Sequence, residues 1–143
     1  MELRFIRTGD ALYSDELELR FRVLREPLGH ARSDVPFAFE DDSLHLIALD
    51  ESARVVGCVL FHPEAPATGR LFQMAVAPAQ QGRGLGRQMV HTLEAELARR
   101  GVREVHLHAR ANVVPFYERL GYAVIGEPFV EVSIPHRHMR RAL

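Results

Sequence analysis

The residues best suited to hold an anion lie together at Gln81-Gly82-Arg83-Gly84-Leu85-Gly86-Arg87. This stretch stands between an apolar strand pattern and an amphipathic helix pattern, where free backbone amides and the positive end of a helix dipole create an anion site. Its glycines let a ligand come close to the main chain. The spacing is not that of a dinucleotide fingerprint, and no Lys-Ser or Lys-Thr follows as in a nucleotide phosphate loop. Taken alone, the same residues also read as a flexible turn entering a helix. His106 and His108 share one strand face at two-residue spacing. No cysteine or carboxylate accompanies them at ligand spacing, so the sequence assigns no metal. Cys58, inside the apolar run Val55 to Phe61, reads as a small hydrophobe rather than a nucleophile. The acidic cluster Glu40-Asp41-Asp42 reads as a solvated loop more readily than as an attractor for a cationic amine.

The elements that must position these residues follow from periodicity. Leu71 to Val76 is an apolar strand ending at Ala77-Pro78. After the glycine-rich loop, Leu85, Met89, Val90, Leu93 and Leu97 form one stripe of a helix that runs to about Arg100 and stops at Gly101. Val105, Leu107 and Ala109 alternate with Glu104, His106 and His108, which predicts a strand packed on that helix. A short helix follows over Val113 to Leu120, ended by Gly121. Upstream, alternation over Glu2 to Arg7 predicts a first strand, and helical spacing predicts one helix from Ala11 to about Leu28. His30 to Asp42 lacks a period and reads as a loop or a short second helix. Leu44 to Leu49 and Val55 to Phe61 form a hairpin across Asp50-Glu51-Ser52, with Gly57 marking a bulge. Pro63 to Gly69 reads as a turn. Tyr122 to Ile125 and Val130 to Ile134 read as two last strands across the turn Gly126 to Pro128, with Pro135 to Leu143 continuing the second. The expected fold class is α+β, one domain over residues 1–143 around a central mixed, mostly antiparallel sheet flanked by helices.

With strand, loop and helix in that order, the chain resembles the GCN5-related N-acetyltransferase (GNAT) family. The loop signature of that family is Gln or Arg, two residues, Gly, one residue, then Gly or Ala, matched here by Gln81, Gly84 and Gly86. A second match is Ala111-Asn112-Val113-Val114-Pro115-Phe116-Tyr117-Glu118-Arg119-Leu120-Gly121-Tyr122, which is similar to the family segment ending in Phe-Tyr-Glu-Lys-Leu-Gly-Phe. His106 to Arg110 and Phe129 to His136 further resemble the subgroup of ElaA and YjcF proteins, which usually carries Gly before Ile-Pro-His where this chain has Ser133. The resemblance implies acetyl-CoA as cofactor. The backbone of Gln81, Gly82, Arg83, Gly84, Leu85, Gly86 and Arg87 would hold its pyrophosphate, and main chain at Met74, Ala75 and Val76 would pair with the pantetheine arm. Arg83 and Arg87 add charge for phosphates or stay solvated.

Acyl transfer to an amine needs a neutral nucleophile, a polarised carbonyl and a proton donor for the departing thiolate. By resemblance Tyr117 is that donor, the alternative being a packed aromatic with its tip in water. Asn112 contacts the cofactor or caps the following helix. Phe116 is a cofactor contact or core. The candidate bases are Glu131, His136 and His108. The implied acceptor is a primary amine of a small molecule or a protein amino group, and the frequent dimers of the family leave a homodimer as an expectation. Two other readings compete: a non-catalytic acyl-CoA binding or sensing domain, and a nucleotide-binding protein.

Composition narrows the classes. The 143 residues carry 18 Lys plus Arg against 19 Asp plus Glu, a formal net charge of -1, without the basic excess that nucleic acid binding asks for. A hydrophobic fraction of 47% beside 26% charged residues is that of a chain able to bury a core. Neither a signal-peptide pattern nor an apolar run of about 20 residues is present, so no membrane is expected and the expected location is the cytoplasm.

Overall fold

The computed structural model describes residues 1–143. Seven strands form one sheet: β1 (Glu2–Ile6), β2 (Leu44–Leu49), β3 (Val55–Ala65), β4 (Thr68–Val76), β5 (Glu104–Arg110), β6 (Ala123–Glu131) and β7 (Ile134–Ala142), in the order β1-β2-β3-β4-β5-β7-β6. Every pairing is antiparallel except β4 with β5. Helices α1 (Tyr13–Arg20), α2 (Leu85–Arg99) and α3 (Val114–Arg119) flank it. The result is the mixed, mostly antiparallel α+β architecture expected from the sequence.

The apolar stripe of α2 drives its packing. Leu85, Met89, Val90, Leu93 and Leu97 are all buried against Leu46, Val59, Phe61, Leu71 and Leu107 of the sheet, each burial stabilising the fold by about 1.5–3 kcal/mol. Gly57 permits the close approach, since a Cβ there would lie 2.8 Å from Met89 Sδ. A smaller cluster on the opposite face joins Leu19 of α1 to Ile6, Ile47, Leu49, Cys58 and Ala75. The Cys58 thiol donates to the Gln73 carbonyl at 3.3 Å, and burial pushes its pKa up, which fits a structural residue.

Several elements depart from the sequence reading. The helix expected over Ala11 to Leu28 changes pitch twice, through a π turn at Phe21–Arg25 and a 3-10 turn at Glu26–Leu28. His30 to Asp42, read as a loop or a short second helix, is a loop that contains two short 3-10 turns. The presumed turn Pro63 to Gly69 is mostly strand, because β3 continues to Ala65 and Pro63 pairs with Gly69 across a tight hairpin. Gly126 to Pro128 is not a turn but a bulge inside β6, and the true hairpin is Val132-Ser133, both at positive φ. Val130 to Ile134 is therefore the end of one strand and the start of the next. β7 inserts between β5 and β6.

The acidic cluster is also less solvated than its composition suggests. Glu40 is buried and takes both Arg20 Nη1 and Nη2, at 2.8 and 2.7 Å, and Tyr13 Oη at 2.8 Å. Arg20 Nη1 also donates to Glu16 at 2.8 Å. His45 points Nδ1 at Glu16 and Nε2 at the Glu40 carbonyl, at 2.9 and 2.8 Å, so both ring nitrogens face acceptors. Burial opposes its charge, yet the hydrogen bond and the charge of Glu16 outweigh this and raise the His45 pKa. Two cations and two carboxylates thus balance in the interior, and they pin the irregular segment over α1.

Candidate active site

The glycine-rich loop leaves β4 at Val76 and enters α2 at Leu85. Gly82 and Gly84 adopt φ of 76° and 81°, a left-handed backbone that favours glycine, while a Cβ at either would meet nothing within 4 Å. Conformation, not space, selects glycine at both. Gln81 ties the loop to the strand end by donating its side-chain amide to the Val76 carbonyl at 2.9 Å. None of the main-chain amides from Gly82 to Arg87 donates to a backbone carbonyl. These donors converge at the positive end of the α2 dipole, the arrangement that binds phosphate. At Gly86 the ring of Phe116 approaches to 3.3 Å of a Cβ position, which seats α3 against the first turn of α2.

The parallel pairing of β4 with β5 covers only Thr68–Arg70 against Glu104–His106. Beyond Arg70 the two strands part, so the β5-facing edge of β4 from Leu71 to Val76 has no strand beside it. A bulge between Cys58 and Leu60 in the β3 register accompanies a left-handed residue, Gln73, at φ 55°. The Gln73 side-chain oxygen is buried with no partner. Sequence reasoning passed over Gln73, because nothing in Phe72-Gln73-Met74 signals a bulge.

A cavity of about 390 Å³ fills the parting, lined among others by Leu24, Gln73, Met74, Tyr117, Glu131 and His136. Tyr117 is 6% exposed, and burial alone raises the pKa of its hydroxyl, with no hydrogen-bonding or charged partner contributing. Tyr122 is different: its hydroxyl donates to Glu94 at 2.8 Å and serves the core. Tyr117, a residue of the cavity wall, thus keeps a protonated hydroxyl with no partner in the fold at neutral pH.

All three candidate bases meet here. The Nδ1 of His108 lies 2.9 Å from Glu131 Oε1, and His136 Nε2 is 3.6 Å from Glu131 Oε2. Partial burial opposes ionisation of Glu131, but the His108 hydrogen bond and the charges of His108, Arg70 and His136 prevail and lower its pKa. The Nδ1 of His136 sits 2.7 Å from the Ile134 carbonyl. A carbonyl only accepts, so Nδ1 carries a proton, while Nε2 faces Glu131 from beyond direct hydrogen-bond distance.

Met74 lines the cavity, while Ala75 is buried in the sheet and Val76 ends the strand. Leu85 contributes its amide to the loop and its side chain to the core. Asn112 is exposed, and no side-chain cap bond is made at the start of α3, so the capping alternative does not describe it. Arg83 and Arg87 lie on or beside the loop with no salt bridge in the fold. His106 and His108, which lack carboxylates at ligand spacing along the chain, acquire them in three dimensions: Glu64 bonds His106 and Glu131 bonds His108, with His138 beside both.

Comparison with known proteins shows the family and the fold. Residues 31–143 match the acetyltransferase (GNAT) domain family, and the chain belongs to it. The cofactor of the family is acetyl-CoA. The uncharacterized N-acetyltransferase YjcF of Bacillus subtilis is 29% identical over 103 residues, 71% of this chain and 72% of that one. The crystal structure of Escherichia coli ElaA superposes with a TM-score of 0.84 at 19% identity, covering 98% of each chain. An aminoglycoside 6'-N-acetyltransferase crystallised with coenzyme A superposes at 0.81 with 18% identity, covering 99% of this chain and 97% of that one. At these identities the structural likeness establishes the fold. No helix is long and apolar enough to cross a membrane.

Proposed function

We propose that this chain is an N-acetyltransferase that takes acetyl-CoA as donor and moves the acetyl group directly to a primary amine of a small molecule or a protein. The observation that carries the reading is the parting of β4 and β5, with unpaired loop amides at one end and Tyr117 in the wall of the cavity between the strands. Acetyl-CoA supplies an acetyl group activated as a thioester. The amides of Gly82 to Arg87 hold its pyrophosphate, and the open edge of β4 at Met74, Ala75 and Val76 pairs with the pantetheine arm.

Glu131, held ionised by its basic neighbours, attracts the incoming ammonium ion. His136 Nε2 takes the proton that makes the amine a nucleophile. The amine nitrogen then bonds to the carbonyl carbon as the carbon–sulfur bond breaks. Tyr117, whose raised pKa keeps it protonated, gives its hydroxyl proton to the leaving sulfur, and the second proton released by the acylated nitrogen restores the phenol.

The test is thiol release from acetyl-CoA across a panel of primary amines, polyamines, amino sugars and lysine peptides, alongside calorimetry of coenzyme A binding. Amine-dependent release with an N-acetylated product is the expected result. Tight cofactor binding with no release across the panel would instead make the chain an acyl-CoA sensor.

A further inference from the structure

Three imidazoles on the sheet are built into an arrangement that acyl transfer does not require. His106 and His108 alternate along β5, and His138 of β7 lies directly across from His108. Each can offer a nitrogen such that all three nitrogens lie within 4.8 Å of one another. The rings of His106 and His108 both stand edge-on to that of His138, with centroids 5.2 and 5.4 Å away.

The outer nitrogens decide what the inner ones can do. His106 Nε2 bonds the carboxylate of Glu64, and His108 Nδ1 bonds that of Glu131 at 2.9 Å. Ionised carboxylates only accept, so both outer nitrogens carry the protons. In the neutral form of each ring the lone pair then belongs to the other nitrogen, His106 Nδ1 or His108 Nε2. His106 Nδ1 sits 3.3 Å from His138 Nε2. In a tetrahedral zinc site with Zn–N of about 2.0–2.1 Å, neighbouring nitrogens are about 3.3–3.4 Å apart. A carboxylate behind a ligating imidazole is also the usual outer shell of such a site, fixing tautomer and ring orientation.

Charge and access agree with a cation. Glu64 and Glu131 bring two negative charges, against Arg70 at 3.8 Å from Glu131. The side chains of His106 and His108 keep 21% and 25% of their surface exposed, which leaves an entry path and room for water as a fourth ligand. An all-imidazole donor set selects Zn²⁺, Cu²⁺, Ni²⁺ or Co²⁺ over Mg²⁺ and Ca²⁺.

We propose that His106, His108 and His138 bind one divalent transition-metal ion, Zn²⁺ in the first instance, with Glu64 and Glu131 orienting the His106 and His108 ligands. The ion ties β5 to β7 at the border of the cavity. It also fixes His108 in the tautomer that donates to Glu131, so metal and acyl-transfer chemistry share that carboxylate without competing for a nitrogen.

The test is calorimetric titration of ZnCl₂ into the full chain, free of any histidine tag and stripped with a chelator, together with visible absorption on adding Co²⁺. Saturation at one ion per chain and Co²⁺ d–d bands are expected. Glu64→Gln, a substitution at an exposed position, should weaken Zn²⁺ by about 10- to 100-fold, and His138→Ala should abolish saturable binding. His91→Ala, on the exposed side of α2, should change nothing. Absence of saturable binding overturns the proposal, as does equal affinity in His138→Ala with unchanged circular dichroism. Coenzyme A affinity, measured in parallel, keeps this result separate from the acyltransferase reading.

Discussion

Replacing Tyr117 with Phe removes one oxygen and nothing else, which makes it the sharpest probe of the proposed chemistry. The ring keeps its edge-on contacts with Phe116 and Tyr122, at centroid distances of 4.9 and 5.7 Å. Burial alone shifts the hydroxyl, with no partner in the fold, so no buried acceptor is orphaned and the stability should change by less than about 1 kcal/mol. If the oxygen protonates the leaving sulfur, its loss costs about 10²- to 10⁴-fold in kcat, or about 2.7–5.4 kcal/mol of transition-state stabilisation. Tyr122→Phe is the matched control. It leaves Glu94 Oε2 without its donor, although Arg141 still holds Oε1 at 2.7 Å, so it should cost about 1–3 kcal/mol of stability and spare kcat. The assay is steady-state thiol release with saturating amine, beside calorimetric Kd for coenzyme A and urea denaturation. A Tyr117→Phe enzyme with kcat within about threefold of wild type, well short of the range for a lost general acid, would refute the assignment.

Two other substitutions address the cradle and the interior. Gly84→Glu places a carboxylate where the pyrophosphate is proposed to sit and should weaken coenzyme A by more than tenfold, while Gly84→Ala carries the same left-handed strain of about 1–2 kcal/mol without the charge; equal coenzyme A affinity in wild type and Gly84→Glu, by calorimetry, would remove the loop from the binding site. Arg20→Met leaves Glu16 and Glu40 buried without their shared cation and should destabilise the fold by about 3–5 kcal/mol, read as a lower urea midpoint; an unchanged midpoint would mean that the buried carboxylates find other partners.

Much of the fold could be read in advance because burial imposes period. Leu85, Met89, Val90, Leu93 and Leu97 mark α2, and the alternation of Val105, Leu107 and Ala109 marks β5, since each element packs only one face on the core. The C-terminal hairpin misled for the converse reason. Gly126-Glu127-Pro128 carries the composition of a turn but forms a bulge, whereas the real turn falls on Val132 and Ser133, at φ of 47° and 62°, with no glycine to announce it. Glu40 looked solvated because its cation, Arg20, is twenty positions away. His138 and Glu64 escaped notice as partners of His106 for the same reason: strand register, not sequence spacing, brings them together. The glycine-rich loop was legible through Gln81, Gly84 and Gly86, but the left-handed Gln73 beside the cavity was not.

The late insertion of β7 governs when the molecule becomes whole. β6 pairs with no strand but β7, so Glu131 takes its place beside His108 only once residues 134–142 have paired with β5. During synthesis the strands from β1 to β4 and the loop into α2 can assemble while the opposite bank is still missing. On the proposed reading, a nascent chain would thus own a berth for the donor before it owned a wall for the acceptor, and β7 is the keystone that joins them.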